Sequence, residues 1–321
     1  MVGPPELAAG LTDTPVVRRH GEKPLRVVSP KISLRQRVQA IWIYRELLGE
    51  MTRKELTVQY KNSILGFLWS MLNPAINLVV YFIVFQLILK NGIPRFAIYL
   101  MCGTLVWNFF SMGVSGACGS IVANSPIIKK VSFPREIPAL AQIGSALTQM
   151  GFQTIVLVVF LLAFRSGPAV AYLPLLIPAL IALILLATAI GILFAALNVK
   201  LRDVGYLLGI GLQVWFWGTP IVYTYRQIRD PIQFGHSHYV WVFILYRLNP
   251  VTPIVLTFQR AIYSVTSPKG TGGTLVHILP DHAGLWWYGW QLLAVIGFSG
   301  ALLLFALSVF AKREGSFAEQ L

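Results

Sequence analysis

Residues 171–197, AYLPLLIPALIALILLATAIGILFAAL, contain no Asp, Glu, Lys, Arg or His, and most of them are Leu, Ile or Ala. A bilayer hydrocarbon core about 30 Å thick needs about 20 such residues per helix, so this run reads as a membrane span. Outward from it, five more uncharged runs lie near Ile64–Leu89, Phe96–Val122, Ile137–Phe164, Val204–Tyr225 and Leu285–Ala311. Hydrophobic residues make up 56% of the 321 and charged residues 12%, about half the charged share of a soluble domain. A soluble fold could not hide that much apolar surface. The six runs predict an all-α membrane protein with six transmembrane helices.

Orientation follows from Lys and Arg, which are retained on the cytoplasmic side. Residues 1–63 carry eleven, the segment 123–136 carries Lys129, Lys130 and Arg135, 198–203 carries Lys200 and Arg202, and Lys312 and Arg313 close the last run. The other side holds eight, five of them in 226–284. Both termini are therefore placed in the cytoplasm, in a multi-pass protein of the inner membrane. The net charge of +14 reads as attraction to anionic membrane lipid and as topology control, not as nucleic-acid binding. Cys102 and Cys118 fall inside the second run without a CxxC spacing and read as apolar packing residues.

The chain divides into a disordered basic cytoplasmic tail (1–36), an N-terminal amphipathic interfacial helix (37–61) and a transmembrane domain (62–321). The helix is read from Ile41, Tyr44, Leu48 and Met51 at helical spacing among Arg45, Glu46, Arg53 and Lys54. Pro74 should bend the first span. The external loop 226–284 contains a second apolar stretch, Tyr239–Tyr263, broken by Arg247, Asn249, Pro250, Pro253 and Arg260. Two short re-entrant helices suit it better than a seventh span.

Several chemistries are missing. No span holds an ionisable group, which argues against proton- or sodium-driven transport. The acids expected outside are Asp230 and Asp281, too few for a membrane-embedded glycan-transferring enzyme. His236, His238, His277 and His282 match no zinc spacing. No G-x-x-x-x-G-K-[ST] string occurs, so the chain has no P-loop to hold ATP and Mg; an ATP-driven motor would be a separate polypeptide. The segment 123–136, ANSPIIKKVSFPRE, basic and proline-punctuated, suits the docking of one.

Uncharged polar residues recur at helical intervals: Trp69, Asn73, Asn77 and Tyr81; Thr104, Asn108, Ser111 and Ser115, with Trp107 beside them; Gln142, Ser145, Gln149 and Gln153; and Gln213 with Trp217. Such groups could exchange hydrogen bonds and ring contacts with a sugar in a channel, or bond helix to helix. Pattern alone leaves both open.

YKNSILGFLWSMLNP (60–74), SPIIKKVSFPREI (125–137), LNVKLRDV (197–204), WFWGTPIVY (215–223), LNPVTPIV (248–255) and FAEQL (317–321) occur in order. Together they resemble the membrane subunits of ABC exporters for O-antigen, capsule, teichoic acid or galactan. The resemblance implies a type-2 ABC permease fold, a homodimer carried by two ATP-binding subunits, and a polyprenyl-diphosphate-linked glycan as substrate. It implies contact with the ATPase by the interfacial helix (Arg53, Lys54) and by Ser125, Pro126, Lys129, Lys130, Phe133, Pro134 and Arg135. Trp215, Phe216, Trp217 and Tyr223 would stand near the outer channel mouth, and Asn249–Ile262, with Asn249, Pro250 and Arg260, would form external gate helices. The alternative reading is a type-2 ABC permease for a small lipid or drug. The long N-terminal extension and the enlarged loop around His236 and Lys269–Gly273 depart from the family pattern.

Overall fold

A computed structural model describes residues 34–61, 68–88, 93–225, 240–265, 278–280 and 284–317. Most of the tail, the four loop histidines, Asp230, Asp281, Lys269–Gly273 and most of FAEQL lie outside the described residues. The helices are α1 (Leu34–Ile43), α2 (Arg45–Tyr60), α3 (Leu68–Tyr81), α4 (Phe96–Ala123), α5 (Ser125–Ile128) and α6 (Ile137–Ala163). They continue as α7 (Leu176–Asn198), α8 (Asp203–Trp217), α9 (Val240–Leu248), α10 (Val251–Phe258) and α11 (Leu285–Arg313). A π-helical segment, Phe82–Ile88, extends α3, a 3₁₀ turn, Val170–Leu175, leads into α7, and a π turn, Gln259–Tyr263, ends α10.

Among the described residues, four helical stretches are long and apolar enough to cross a membrane: Phe96–Ala123, Ile137–Ala163, Val170–Asn198 and Leu285–Arg313. The first uncharged run yields α3 with Pro74 inside it, and the ends of that run are outside the described residues. The fifth yields only the 15-residue α8, about 22 Å long at 1.5 Å per residue. It stops at Trp217 because Gly218-Thr219-Pro220 follows: proline brings no amide hydrogen and pushes the residue before it out of helical backbone.

α4 is the central helix, packed against α6 and α7, while α11 lies along α7. Lipid tails are as apolar as leucine, so close backbone approach between small residues matters more here than hydrophobicity. A Cβ on Gly191 of α7 would lie 2.7 Å from the Ala117 Cβ of α4, and one on Gly116 would lie 2.7 Å from Gln142 Oε1 of α6. Asn198 fixes the far end of α7: its Nδ2 donates to the Cys118 carbonyl, and its Oδ1 accepts the N–H of Gly205 on α8, both at 3.1 Å.

The N-terminal helix is two helices, broken at Tyr44, and the first begins at Leu34, inside the stretch read as tail. The apolar face expected to meet lipid meets protein: Met51 is buried with Ile137 and Ala141, and Tyr44, Leu47 and Leu48 pack against them. Trp42 and Ile43 are exposed at the end of α1, with the Arg45 guanidinium 5.8 Å from the Trp42 ring centre.

Candidate functional site

Two regions at opposite ends of α4 hold most of the candidate residues. Near Phe96, where α4 starts, the end of α8 meets α9 and α10. Trp215 donates its indole N–H to Asn249 Oδ1 at 2.9 Å, and the same oxygen accepts the Val251 N–H at the head of α10, also at 2.9 Å. Asn249 Nδ2 donates to the Gly218 carbonyl at 3.1 Å and to Thr219 Oγ1 at 2.9 Å. One buried amide therefore holds the α8 terminus to the two short helices. Gln259 adds a second tie, from Nε2 to the Pro220 carbonyl at 3.0 Å. Tyr99 of α4 donates to the Tyr223 carbonyl, and Tyr223 in turn to the Trp217 carbonyl, each at 2.8 Å.

The aromatic residues of this region divide by direction. Phe216 is 9% exposed and Trp107 7%; their rings meet at 5.7 Å, and Tyr81 stacks on Phe216 at 5.8 Å. Trp215 is half-buried, edge-on to Phe110 at 5.2 Å. Trp217 is 50% exposed, and Gln213, one helical turn earlier, is exposed as well. Pro250 sits at the head of α10, and the Arg260 guanidinium lies 4.1 Å over the Tyr172 ring and donates to the Ser264 carbonyl at 3.2 Å.

Midway along α4, Asn108 Nδ2 donates to Gln153 Oε1 of α6 at 3.1 Å. Next to this pair α3, α4 and α6 leave a mostly apolar cleft lined by Pro74, Leu78, Thr104, Gln153 and Phe160 among others. Asn77 is exposed on α3; the side chains of Trp69 and Asn73 lie outside the described residues. Gln149 is buried and donates from Nε2 to Gln59 Oε1 of α2 at 2.7 Å. Of the residues read as channel-lining, Trp107, Gln149 and Phe216 are thus packed inside the subunit, whereas Asn77, Gln213 and Trp217 are exposed.

At the far end of α4 the segment 124–136 turns back into α6. Ser125 and Pro126 open α5, and Pro at the first helical turn costs no hydrogen bond. Lys129, Lys130 and Val131 are exposed, Phe133 packs towards Met51, and Pro134 accepts the Ile137 N–H at 3.1 Å. Lys54 donates to Asn124 Oδ1 at 2.7 Å, while Arg53 is exposed. Arg135 donates to the Glu314 carbonyl beyond α11. Arg37 of α1 pairs with Glu136 and with Glu314 Oε2, the latter at 2.9 Å.

Sequence reading passed over Arg37, Glu136 and Glu314. Glu136 is the one acid in 123–136, a signal that a basic segment has an internal counter-ion. Burial raises its carboxyl above the ordinary range and Glu314 adds to this, with Arg37 opposing. Burial pulls the Arg37 guanidinium down, yet the two carboxylates together hold it above its usual value.

A family model described as ABC-2 type transporter matches residues 46–263. The O-antigen export system permease protein RfbA of Myxococcus xanthus is 28% identical over 285 residues, covering 88% of this chain and 98% of that one. A protein of the same name from Klebsiella pneumoniae is 28% identical over 278 residues, covering 85% of this chain and 94% of that one. With its long apolar helices arranged around α4, the chain belongs to the ABC-2 type transporter family, multi-pass membrane permeases that work with ATP-binding subunits.

Proposed function

We propose that this chain is the channel-forming subunit of an ATP-driven exporter that moves a polyprenyl-diphosphate-linked polysaccharide across the cytoplasmic membrane. The observation that carries this reading is similarity over nearly the whole length to O-antigen export permeases. The geometry supports it: Gln213 and Trp217 leave a polar and aromatic edge open on α8, at the end of the bundle pinned by Asn249. A flat indole offers an apolar face to a sugar ring while an amide exchanges hydrogen bonds with its hydroxyls.

In this reading two copies form a homodimer with α8 and α3 facing the path, the chain crosses the membrane six times, and both termini are cytoplasmic. α9 and α10 form the external gate, and two ATP-binding subunits dock on Ser125–Arg135 and α2. ATP and Mg are held by those subunits. The test is depletion of the protein followed by identification of what accumulates inside the cell. A polyprenyl-diphosphate-linked glycan on the cytoplasmic face is the expected result. Normal surface glycan with no such intermediate would overturn the glycan reading in favour of a small lipid or drug as cargo.

A further inference from the structure

The segment that would receive the motor is tied at both ends to the same pair of helices. At its start, Lys54 of α2 holds Asn124, whose own Nδ2 closes α4 by donating to the Ser120 carbonyl at 2.9 Å. At its end, Arg37 of α1 holds Glu136. Arg37 also takes Glu314, and Arg135 takes the Glu314 carbonyl, so the end of α11 joins the same knot. Arg37 is 8% exposed and Glu136 2%. Just beyond, Phe317 is buried edge-on against Phe310 at 5.3 Å, which fixes the chain after α11.

Buried ion pairs are poor stabilisers against apolar replacements, because desolvation offsets the attraction; their best-attested use is to fix register. Here the partners lie 99 and 277 residues apart in sequence, so the register fixed is that between three distant pieces of chain. The packing between the ties is close as well: a Cβ on Gly144 of α6 would lie 3.0 Å from Thr52 Oγ1 of α2.

We propose that Arg37, Glu136 and Glu314 form an ionic latch that makes α1, α2, the segment 124–136 and the end of α11 one rigid lever, so that displacement of the segment by the motor moves the last span directly. The proposal rests on the docking of ATP-binding subunits at this segment, as in the proposed function. Arg37, Glu136 and Glu314 act through the lever and are positioning residues.

The test uses the complex with its ATP-binding subunits. Spin labels are placed at Glu50 of α2 and Lys312 of α11, both exposed, on one copy per complex, in a background carrying Cys102→Ala and Cys118→Ala. The inter-label distance is read without nucleotide and after trapping with ATP and vanadate. A rigid lever gives one narrow distribution, the same in both states, and Glu314→Gln broadens it. In cells, surface glycan per inserted molecule falls about five-fold or more in Glu314→Gln, the low end of ordinary coupling between sites, while ATP hydrolysis by the complex persists. Arg37→Glu alone loses both readouts in the same way, and adding Glu136→Arg again sets one cation between two carboxylates and restores them.

A wild-type distance that changes on trapping, or a Glu314→Gln variant with narrow distances and normal export, would overturn the latch. Failure of the exchange to restore export in a normally inserted protein would also count against it. A complex that hydrolyses no ATP even in the wild type would instead overturn the docking reading.

Discussion

Trp215 gives its indole N–H to Asn249 Oδ1 at 2.9 Å, and this bond joins two positions 34 residues apart in sequence. It sets the direction of every ring around it, because a helix turns about 100° per residue. Once Trp215 faces α9 and α10, Phe216 is committed to the interior and Trp217 to the open side of α8.

Asn249→Ala should therefore be costly. It removes the acceptor of Trp215 Nε1 and of the Val251 N–H and the donor to Gly218 and Thr219. A buried group left without its partner costs about 1–3 kcal/mol. The expected outcome is a lower unfolding temperature in detergent and reduced abundance in the membrane. Trp215→Phe, which loses one bond and keeps a ring, should cost less than half as much. Equal costs for the two would show that the ring contacts, not the amide, hold this corner.

Trp217→Ala is expected to reduce glycan export while the protein inserts at near-normal level, and Trp215→Ala to act mainly on abundance. An exposed interface aromatic used only as an anchor would give neither difference. Export per inserted molecule, compared across the two variants, decides. If it is unchanged in both, Trp217 belongs to a membrane-interface belt and not to a path.

The spans were legible because a bilayer demands long uncharged runs, and four of the six emerge as long helices. The two short helices were legible too, since Asn249-Pro250 and Arg260 break the apolar stretch where α9 ends and α10 closes. The use of the polar residues was not. Asn108 and Gln153 sit on faces that a sugar could share, yet they bond to each other, and a bond between residues 45 positions apart leaves no local mark. Gln149 is hidden for the same reason, since its partner, Gln59, lies on the helix expected to meet lipid. The Arg37 knot draws on three segments, and pairs between positions 99 and 277 residues apart leave no local mark either.

Charge reversal should separate the exposed lysines of segment 124–136, proposed to receive the motor, from its part-buried arginine. Lys129→Glu with Lys130→Glu changes exposed side chains, so stability should move by no more than about 0.5 kcal/mol, while ATP-dependent export falls. Arg135→Glu loses the bond to the Glu314 carbonyl and adds a carboxylate beside Glu136, so it should lower abundance as well. Normal export with both lysines reversed would place the docking contact elsewhere.

Gly191→Ala should destabilise the bundle by about 1–3 kcal/mol, the usual cost of overpacking, because its Cβ would lie 2.7 Å from that of Ala117. Gly119→Ala is the matched control, since nothing lies within 4 Å of its Cβ. Thermal unfolding of the purified proteins distinguishes them. Equal unfolding temperatures would mean that α4 and α7 can part at this crossing without loss.

The ionic knot should respond unequally to loss of its two buried members. Arg37→Met leaves Glu136 buried with Glu314 and no counter-ion; breaking a buried pair from one side typically costs about 3–5 kcal/mol. Glu136→Gln keeps an acceptor for Arg37, which also retains Glu314, so a loss of about 1 kcal/mol is expected, near the worth of one hydrogen bond. The pH dependence follows from the raised Glu136 carboxyl. An acid whose folded pKa lies above its unfolded value binds its proton more tightly when folded, so stability rises as pH falls through the folded pKa and is lost as pH rises through it. Without Arg37 the opposing attraction is gone and the carboxyl shifts further upward. The deficit of Arg37→Met relative to wild type should then narrow as the pH is lowered from the alkaline into the acidic range, while that of Glu136→Gln, which has no proton to take up at that position, should change less. Unfolding temperatures of the three proteins across that range provide the measurement. An Arg37→Met deficit that does not vary with pH would show that Glu136 has moved to water once its partner is removed.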